Sequence, residues 1–221
     1  FDDSGLPAEV AYDARNLAEK LHGSGEVAEL YYRQMLLAYT EAAEHDFVIF
    51  FNPGGWGTRK LQDSAEWLSI IEGVRGEMER AGYRVAVFNY HRTVDNIPGK
   101  LNEIKEVVTG YHVKAEDLSE FVNFLTIHHP KLRVILAGES TGTLICDTAM
   151  TWLGENDRVY SIQTGSPFWH KHQFSARTVL VNDNGIVPDS FSQGDLLTII
   201  VSSIKSALGL QEKEKDGAIL G

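Results

Sequence analysis

The sequence predicts an α/β protein: a mainly parallel sheet with helices on both faces. Three observations carry this expectation. From residue 46 onward, short apolar runs alternate with segments of helical recurrence. The first run, Phe47-Val-Ile-Phe-Phe51, is too brief for a helix and ends at Asn52-Pro53-Gly54-Gly55, a strand entering a tight loop. No internal repeat or low-complexity stretch competes with that pattern.

Residues 8–45 lack β-rich runs and carry apolar recurrence at Val10, Leu17, Leu21, Val27, Leu30, Tyr31, Met35 and Leu36. They read as two helices broken at Gly23-Ser24-Gly25. After the strand at 47–51, a helix is expected at 62–81 and a second strand at 83–90, "YRVAVFNY". A helix over 115–128, a strand at 132–137 and a helix at 141–153 follow. Strands at 158–163 and 177–182 and a helix at 194–208 complete the pattern. Strand–helix alternation at this spacing argues for a parallel sheet covered on both faces, with every strand's C-terminal end on one rim. Ligand sites of such sheets form on that rim, where the loops begin at Asn52, His91, Gly138, Gly165 and Asp183.

A chain of 221 residues suits one large domain with a sizeable core. Three parts are expected: a helical N-terminal extension over 1–45, an α/β domain over 46–210 and a flexible tail over 211–221. The composition, 43% hydrophobic and 23% charged, is that of a soluble globular protein. A net charge of −11 argues against nucleic acid as a partner, because affinity for phosphate backbones comes mainly from Lys and Arg. The single cysteine, Cys146, lies in an apolar helical stretch and reads as a buried, inert thiol. No run of about 18 apolar residues crosses a bilayer. The chain opens on Phe1 rather than Met, which reads as a processed or trimmed piece.

Two motifs fall on the rim. Gly138-Glu139-Ser140-Thr141-Gly142 lies between a strand and a helix, the context of a nucleophile elbow, in which the serine sits on a strained turn and its neighbours need minimal side chains. The helix N-terminus behind it supplies N–H groups for a developing oxyanion. Asn52-Pro-Gly-Gly-Trp-Gly57 is the second, its glycines allowing a backbone N–H close to a substrate. The blander readings are an ordinary serine at a tight corner and a plain glycine turn. Other chemistries fit less well: there is no GxxxxGK[ST] loop, no GxGxxG spacing and no HExxH, and His170-x-His172 alone is a weak metal signal. No cofactor and no metal is expected.

The order of strand, glycine loop, strand, GESTG turn and the late "NDNGIVP" loop resembles the α/β-hydrolase fold, in particular its esterase and lipase-like members, over roughly residues 46–190. "TGSPFW" after the following strand is similar to the small-residue turn of those lipases. The resemblance implies Ser140 as nucleophile and the backbone N–H groups of Trp56 and Thr141 as oxyanion donors. The family acid stands four residues before the loop proline, where this chain has Asn184; Asp183, one residue earlier, takes its place here, with Asp189 as the alternative. The family histidine follows the acid, yet no histidine lies beyond His172. His172 is taken as the base ahead of His170 and His91. His128 and His129 precede a strand and belong to the opposite rim, while His22 and His45 lie in the helical front. Trp56, Trp67, Trp152 and Trp169 read mainly as packing, Trp56 and Trp169 with Phe168 also as pocket walls. Relative to the family a reduced core is expected, with no strand read before the glycine loop or after the acid loop; either the sheet is minimal, or a partner chain or omitted segment completes it.

The function so implied is hydrolysis of a carboxylic ester or related acyl substrate through an acyl-enzyme. The alternative is a hydrolase-like scaffold impaired in catalysis that serves in binding or assembly. A small acyl molecule is the expected partner. A homo-oligomer or a membrane-surface contact through the helical front and 196–204, "LLTIIVSSI", stays open, although that stretch reads first as a core helix. The compartment also stays open, with the cytoplasm slightly favoured.

Overall fold

The computed structural model describes residues 5–55, 57, 59–90, 111–166 and 176–181. Helices α1 (Ala8–His22) and α2 (Glu26–Ala42) precede strand β1 (Phe47–Asn52). A short 3₁₀ turn (Leu61–Asp63), helix α3 (Ala65–Arg80) and strand β2 (Val85–Asn89) follow. Helix α4 (His112–His128), strand β3 (Arg133–Glu139), helix α5 (Thr141–Trp152) and strands β4 (Val159–Thr164) and β5 (Thr178–Val181) complete the described order. The five strands form one all-parallel sheet in the order β2-β1-β3-β4-β5.

Every residue of β1 is buried, as a central strand covered on both faces must be. Alternate side chains then serve two separate cores. Val48 and Phe50, with Val134 and Leu136 of β3, face a cluster built by α1, α2, α4 and α5. Phe47, Ile49 and Phe51, with Ile135 and Ala137, face α3 through Trp67, Ile70, Ile71, Val74 and Met78. Those α3 positions recur at three and four residues, the stripe that an amphipathic helix lays on a sheet. Ring pairs pin each layer: Phe50 meets Phe121 of α4 at 5.4 Å, and Phe51 meets Trp67 at 5.5 Å. Each such pair contributes about 0.5–1.5 kcal/mol beyond the area it buries.

The front helices enter the same core as the sheet. α1 buries only small or short side chains, Val10, Ala14 and Ala18, and α2 lays Tyr31, Tyr32, Met35 and Leu36 inward. The Gly23-Ser24-Gly25 break holds both glycines at positive φ, 71° and 141°. Trp152 departs from its expected packing role: it is 47% exposed and stacks on His112 at 6.2 Å. Cys146 is fully buried on α5. No helix among the described residues is long and apolar enough to cross a membrane. The expected helix at 194–208, with its 196–204 stretch, and the 211–221 tail lie outside the described residues.

The layering selects one place on the rim. The chain leaves β1 for α3 on one face and leaves β3 for α5 on the other, although β1 and β3 are hydrogen-bonded neighbours. Connections that part to opposite faces open a crevice beyond the carboxyl ends of the two strands. Asn52 and Gly138, paired in register, mark that point.

Candidate active site

Ser140 stands where β3 becomes α5, at φ 50° and ψ −116°. Among the described residues it and Tyr111 are the non-glycine residues at positive φ. Such a backbone costs of order 1–3 kcal/mol and persists only where its surroundings over-determine it. Those surroundings are explicit. A Cβ on Gly138 would lie 2.9 Å from the Gly142 carbonyl oxygen and 3.0 Å from Thr143 Cα. A Cβ on Gly142 would lie 2.1 Å from the Asn52 carbonyl oxygen. Both glycines of the GESTG turn are therefore required by close backbone approach.

Hydrogen bonds lock the turn. Ser140 N–H donates to the Thr164 carbonyl at 3.0 Å, tying it to the end of β4. The Ser140 carbonyl accepts from Thr143 N–H at 2.9 Å and from Thr143 Oγ1 at 2.6 Å. Ser166 Oγ donates in turn to Thr143 Oγ1 at 2.7 Å. A serine at a helix N-cap ordinarily spends its hydroxyl on the first-turn N–H groups. Ser140 makes no such cap bond and is half-buried at the rim, so its hydroxyl is not used to close the helix.

The glycine loop after β1 passes beside this turn. A Cβ on Gly54 would stand 3.0 Å from Ser140 Cβ and 3.2 Å from the Glu139 carbonyl oxygen. Gly55 and Gly57 adopt φ of 60° and 72°, and Gly57 N–H closes a turn onto the Gly54 carbonyl at 3.3 Å. Gly165, at φ 63°, brings the β4 loop to the other side, where a Cβ would lie 4.0 Å from Ser140 N. Three strand ends thus converge on one serine, with the N-terminus of α5 directed at the same spot.

Ser140, Thr141 and the glycine loop, distant in sequence, are brought together. Trp56, His91, Phe168, Trp169, His170, His172, Asp183, Asn184 and Asp189 lie outside the described residues. His128 and His129 close α4 just before β3 begins, on the far rim, where His128 Nε2 is 3.2 Å from Asp13 and His129 Nε2 is 3.0 Å from the Tyr39 carbonyl.

Sequence reasoning missed the supporting polar residues. Glu139 accepts from Gly54 N–H at 3.2 Å and pairs with Arg59 at 3.1 Å, and Thr141 Oγ1 donates to the Gly55 carbonyl at 3.1 Å. Asn52 and Thr143 are fully buried beneath the turn, and Asn52 Nδ2 is 3.8 Å from Cys146 Sγ. The available signal for Asn52 was a polar residue ending a wholly apolar strand.

The chain is similar to solved structures. A cutinase-like protein from Cryptococcus sp. is 14% identical over 74% of this chain and 95% of that chain, with a TM-score of 0.51. Trichoderma reesei cutinase, in complex with a C11Y4 phosphonate inhibitor, is 13% identical over 93% and 91%, with a TM-score of 0.46. No family model matches the chain, and no curated protein sequence does. At 14% identity the first likeness speaks to fold alone: a five-stranded parallel sheet between helical layers, the arrangement of the α/β-hydrolases.

Proposed function

We propose that the chain is a serine hydrolase acting on a carboxylic ester or related acyl substrate through an acyl-enzyme intermediate. One observation carries the reading: Ser140 is held at φ 50° by glycines on both sides and makes no helix-cap bond with its hydroxyl. A strained serine whose hydroxyl is withheld from capping suits a nucleophile better than a structural corner.

In this mechanism Ser140 Oγ attacks the acyl carbon while a histidine takes its proton, and His172 is the proposed base, oriented by Asp183. Charge develops on the carbonyl oxygen and is held by the backbone N–H groups of Thr141, at the start of α5, and of Trp56, in the glycine loop. Collapse expels the alcohol with the proton from the base. Water then adds to the acyl-enzyme by the same route and releases the acid. The ester is carried over as part of this proposal from the resemblance of the sequence motifs, and the fold shared with a cutinase-like protein is compatible with it.

A second reading has its own support. The chain holds no histidine after His172, and Asn184 occupies the acid position of the family loop. On that reading the fold is a catalytically impaired scaffold used in binding or assembly. Labelling with a fluorophosphonate separates the two: the wild type is expected to label and Ser140→Ala to stay unlabelled, after which His91, His170 and His172 variants identify the base. A folded wild type that resists the probe overturns the hydrolase reading and leaves the scaffold in its place.

A further inference from the structure

The two residues flanking Ser140 use their side chains in the same way. Glu139 lies on one side, and its carboxylate accepts Gly54 N–H at 3.2 Å through Oε2. The same carboxylate receives Arg59 Nη1 at 3.1 Å on Oε1 and 3.5 Å on Oε2. Thr141 lies on the other side, and its hydroxyl donates to the Gly55 carbonyl at 3.1 Å. The glycine loop is therefore gripped at Gly54, at Gly55 and, through Arg59, just past its end, all by residues 139 and 141.

The loop needs that grip. Gly54 and Gly55 have no side chains to anchor them, and Gly55 and Gly57 sit at positive φ, where glycine gains conformational freedom once the chain is released. Contact with the turn is nonetheless close, a Gly54 Cβ standing only 3.0 Å from Ser140 Cβ. The Glu139 side chain is 21% exposed and that of Arg59 49%, so the anchor point is the more shielded partner. A carboxylate facing a backbone N–H and a guanidinium makes charge-assisted bonds, stronger than those between neutral groups.

We infer that Glu139 and Thr141 are positioning residues that clamp the glycine loop against the Ser140 turn, and so fix the loop backbone at Gly54 and Gly55 beside the serine. The clamp rests on the serine-hydrolase reading for its catalytic consequence but not for its existence. Oxyanion donors stabilise a transition state only when preorganised, and a displacement of about 1 Å can cost a hundredfold in rate.

The test joins steady-state hydrolysis of p-nitrophenyl butyrate to amide hydrogen exchange at Gly54, followed by NMR in the full chain. Glu139→Ala is expected to lower kcat by about ten- to a hundredfold, with KM within about twofold, and to speed Gly54 exchange by about tenfold or more. Glu139→Gln, whose amide oxygen still accepts from Gly54 N–H, is expected to restore most of both. Arg59→Met keeps the test open should Glu139→Ala fail to fold, with kcat reduced by about two- to fivefold. Thr141→Val is expected to speed exchange at Gly55 and Gly57. Wild-type kcat and wild-type Gly54 exchange in folded Glu139→Ala, or in Arg59→Met if that is the variant that folds, overturn the clamp. Should the wild type hydrolyse no ester and resist a fluorophosphonate, the hydrolase reading falls, and Gly54 exchange alone then decides: faster in the variants upholds the clamp, unchanged overturns it.

Discussion

Gly142 lies directly against Asn52: a Cβ there would stand 2.1 Å from the Asn52 carbonyl oxygen and 3.1 Å from that of Pro53. The first turn of α5 and the end of β1 therefore touch backbone to backbone, and this contact sets how near the glycine loop comes to Ser140. Neither side is a flexible side chain that can swing away, so Gly142→Ala has to move β1 or α5. The expected loss is about 1–3 kcal/mol or more, the range for overpacking a tight site, together with most fluorophosphonate labelling. Gly76 on α3 is the control, since a Cβ there meets nothing within 4 Å. Gly76→Ala is expected to stabilise by about 0.5–1 kcal/mol, the helix-propensity difference. Urea unfolding of both variants checks the contrast; similar shifts in both would contradict it.

The backbone of Ser140 leads to the opposite sign at the residue proposed as nucleophile. Its φ of 50° with ψ of −116° suits glycine better than any residue carrying a Cβ. Ser140→Gly is expected to stabilise the fold by about 1 kcal/mol while abolishing labelling, because backbone strain at such sites costs about 1–3 kcal/mol. Ser140→Ala keeps the Cβ and is expected to abolish labelling with little change in stability. Equal midpoints for the two variants in urea would show that the strain is not stored at this residue.

Most of the sheet was legible because its signals are local. The run at 47–51 is apolar at every position and became a strand buried on both faces, and the spacing of Gly138 and Gly142 announced a tight turn. What stayed hidden depends on pairs remote in sequence. Arg59 and Glu139 are 80 positions apart, and each alone reads as a solvated charge. Thr143 and Ser166 are ordinary residues until β4 carries one to the other. Trp152 shows the reverse error: residue type suggested packing, while its position at the end of α5 leaves it half in solvent.

His129 makes stability depend on pH. Burial pushes its imidazole pKa below the usual value, and the neighbouring His128 adds to this, against the Tyr39 carbonyl that favours the protonated ring. The ring is also stacked on Tyr39 at 4.4 Å. A histidine with a depressed folded-state pKa favours the neutral form in the native protein. Its contribution is then complete above the unfolded pKa of about 6.5 and is lost as pH falls from there towards the folded value. Tm is therefore expected to decline as pH is lowered through 6.5, and His129→Gln to flatten that part of the profile. An unchanged profile in the variant would assign the decline to other groups.

The chain of hydroxyls behind Ser140 links turn geometry to rate. Thr143 Oγ1 donates to the Ser140 carbonyl at 2.6 Å and accepts from Ser166 Oγ at 2.7 Å, with Thr143 fully buried. Thr143→Val keeps the shape and the backbone N–H bond to the same carbonyl but removes both hydroxyl bonds. It also leaves Ser166 without that acceptor. A cost of about 1–3 kcal/mol is expected, the range for leaving a buried polar group unsatisfied. Thr143→Ser keeps a hydroxyl there and is expected to fall well short of that loss. If the hydroxyl chain also holds the strained ψ of Ser140, fluorophosphonate labelling of Thr143→Val slows more than its lower stability accounts for. Ser166→Ala removes only the outer bond, so it is expected to cost about 1 kcal/mol and to label at close to the wild-type rate. Labelling rates measured well below each variant's Tm separate the two effects. Equal slowing in Thr143→Val and Ser166→Ala would place control of the turn in the β4 loop rather than in the threonine.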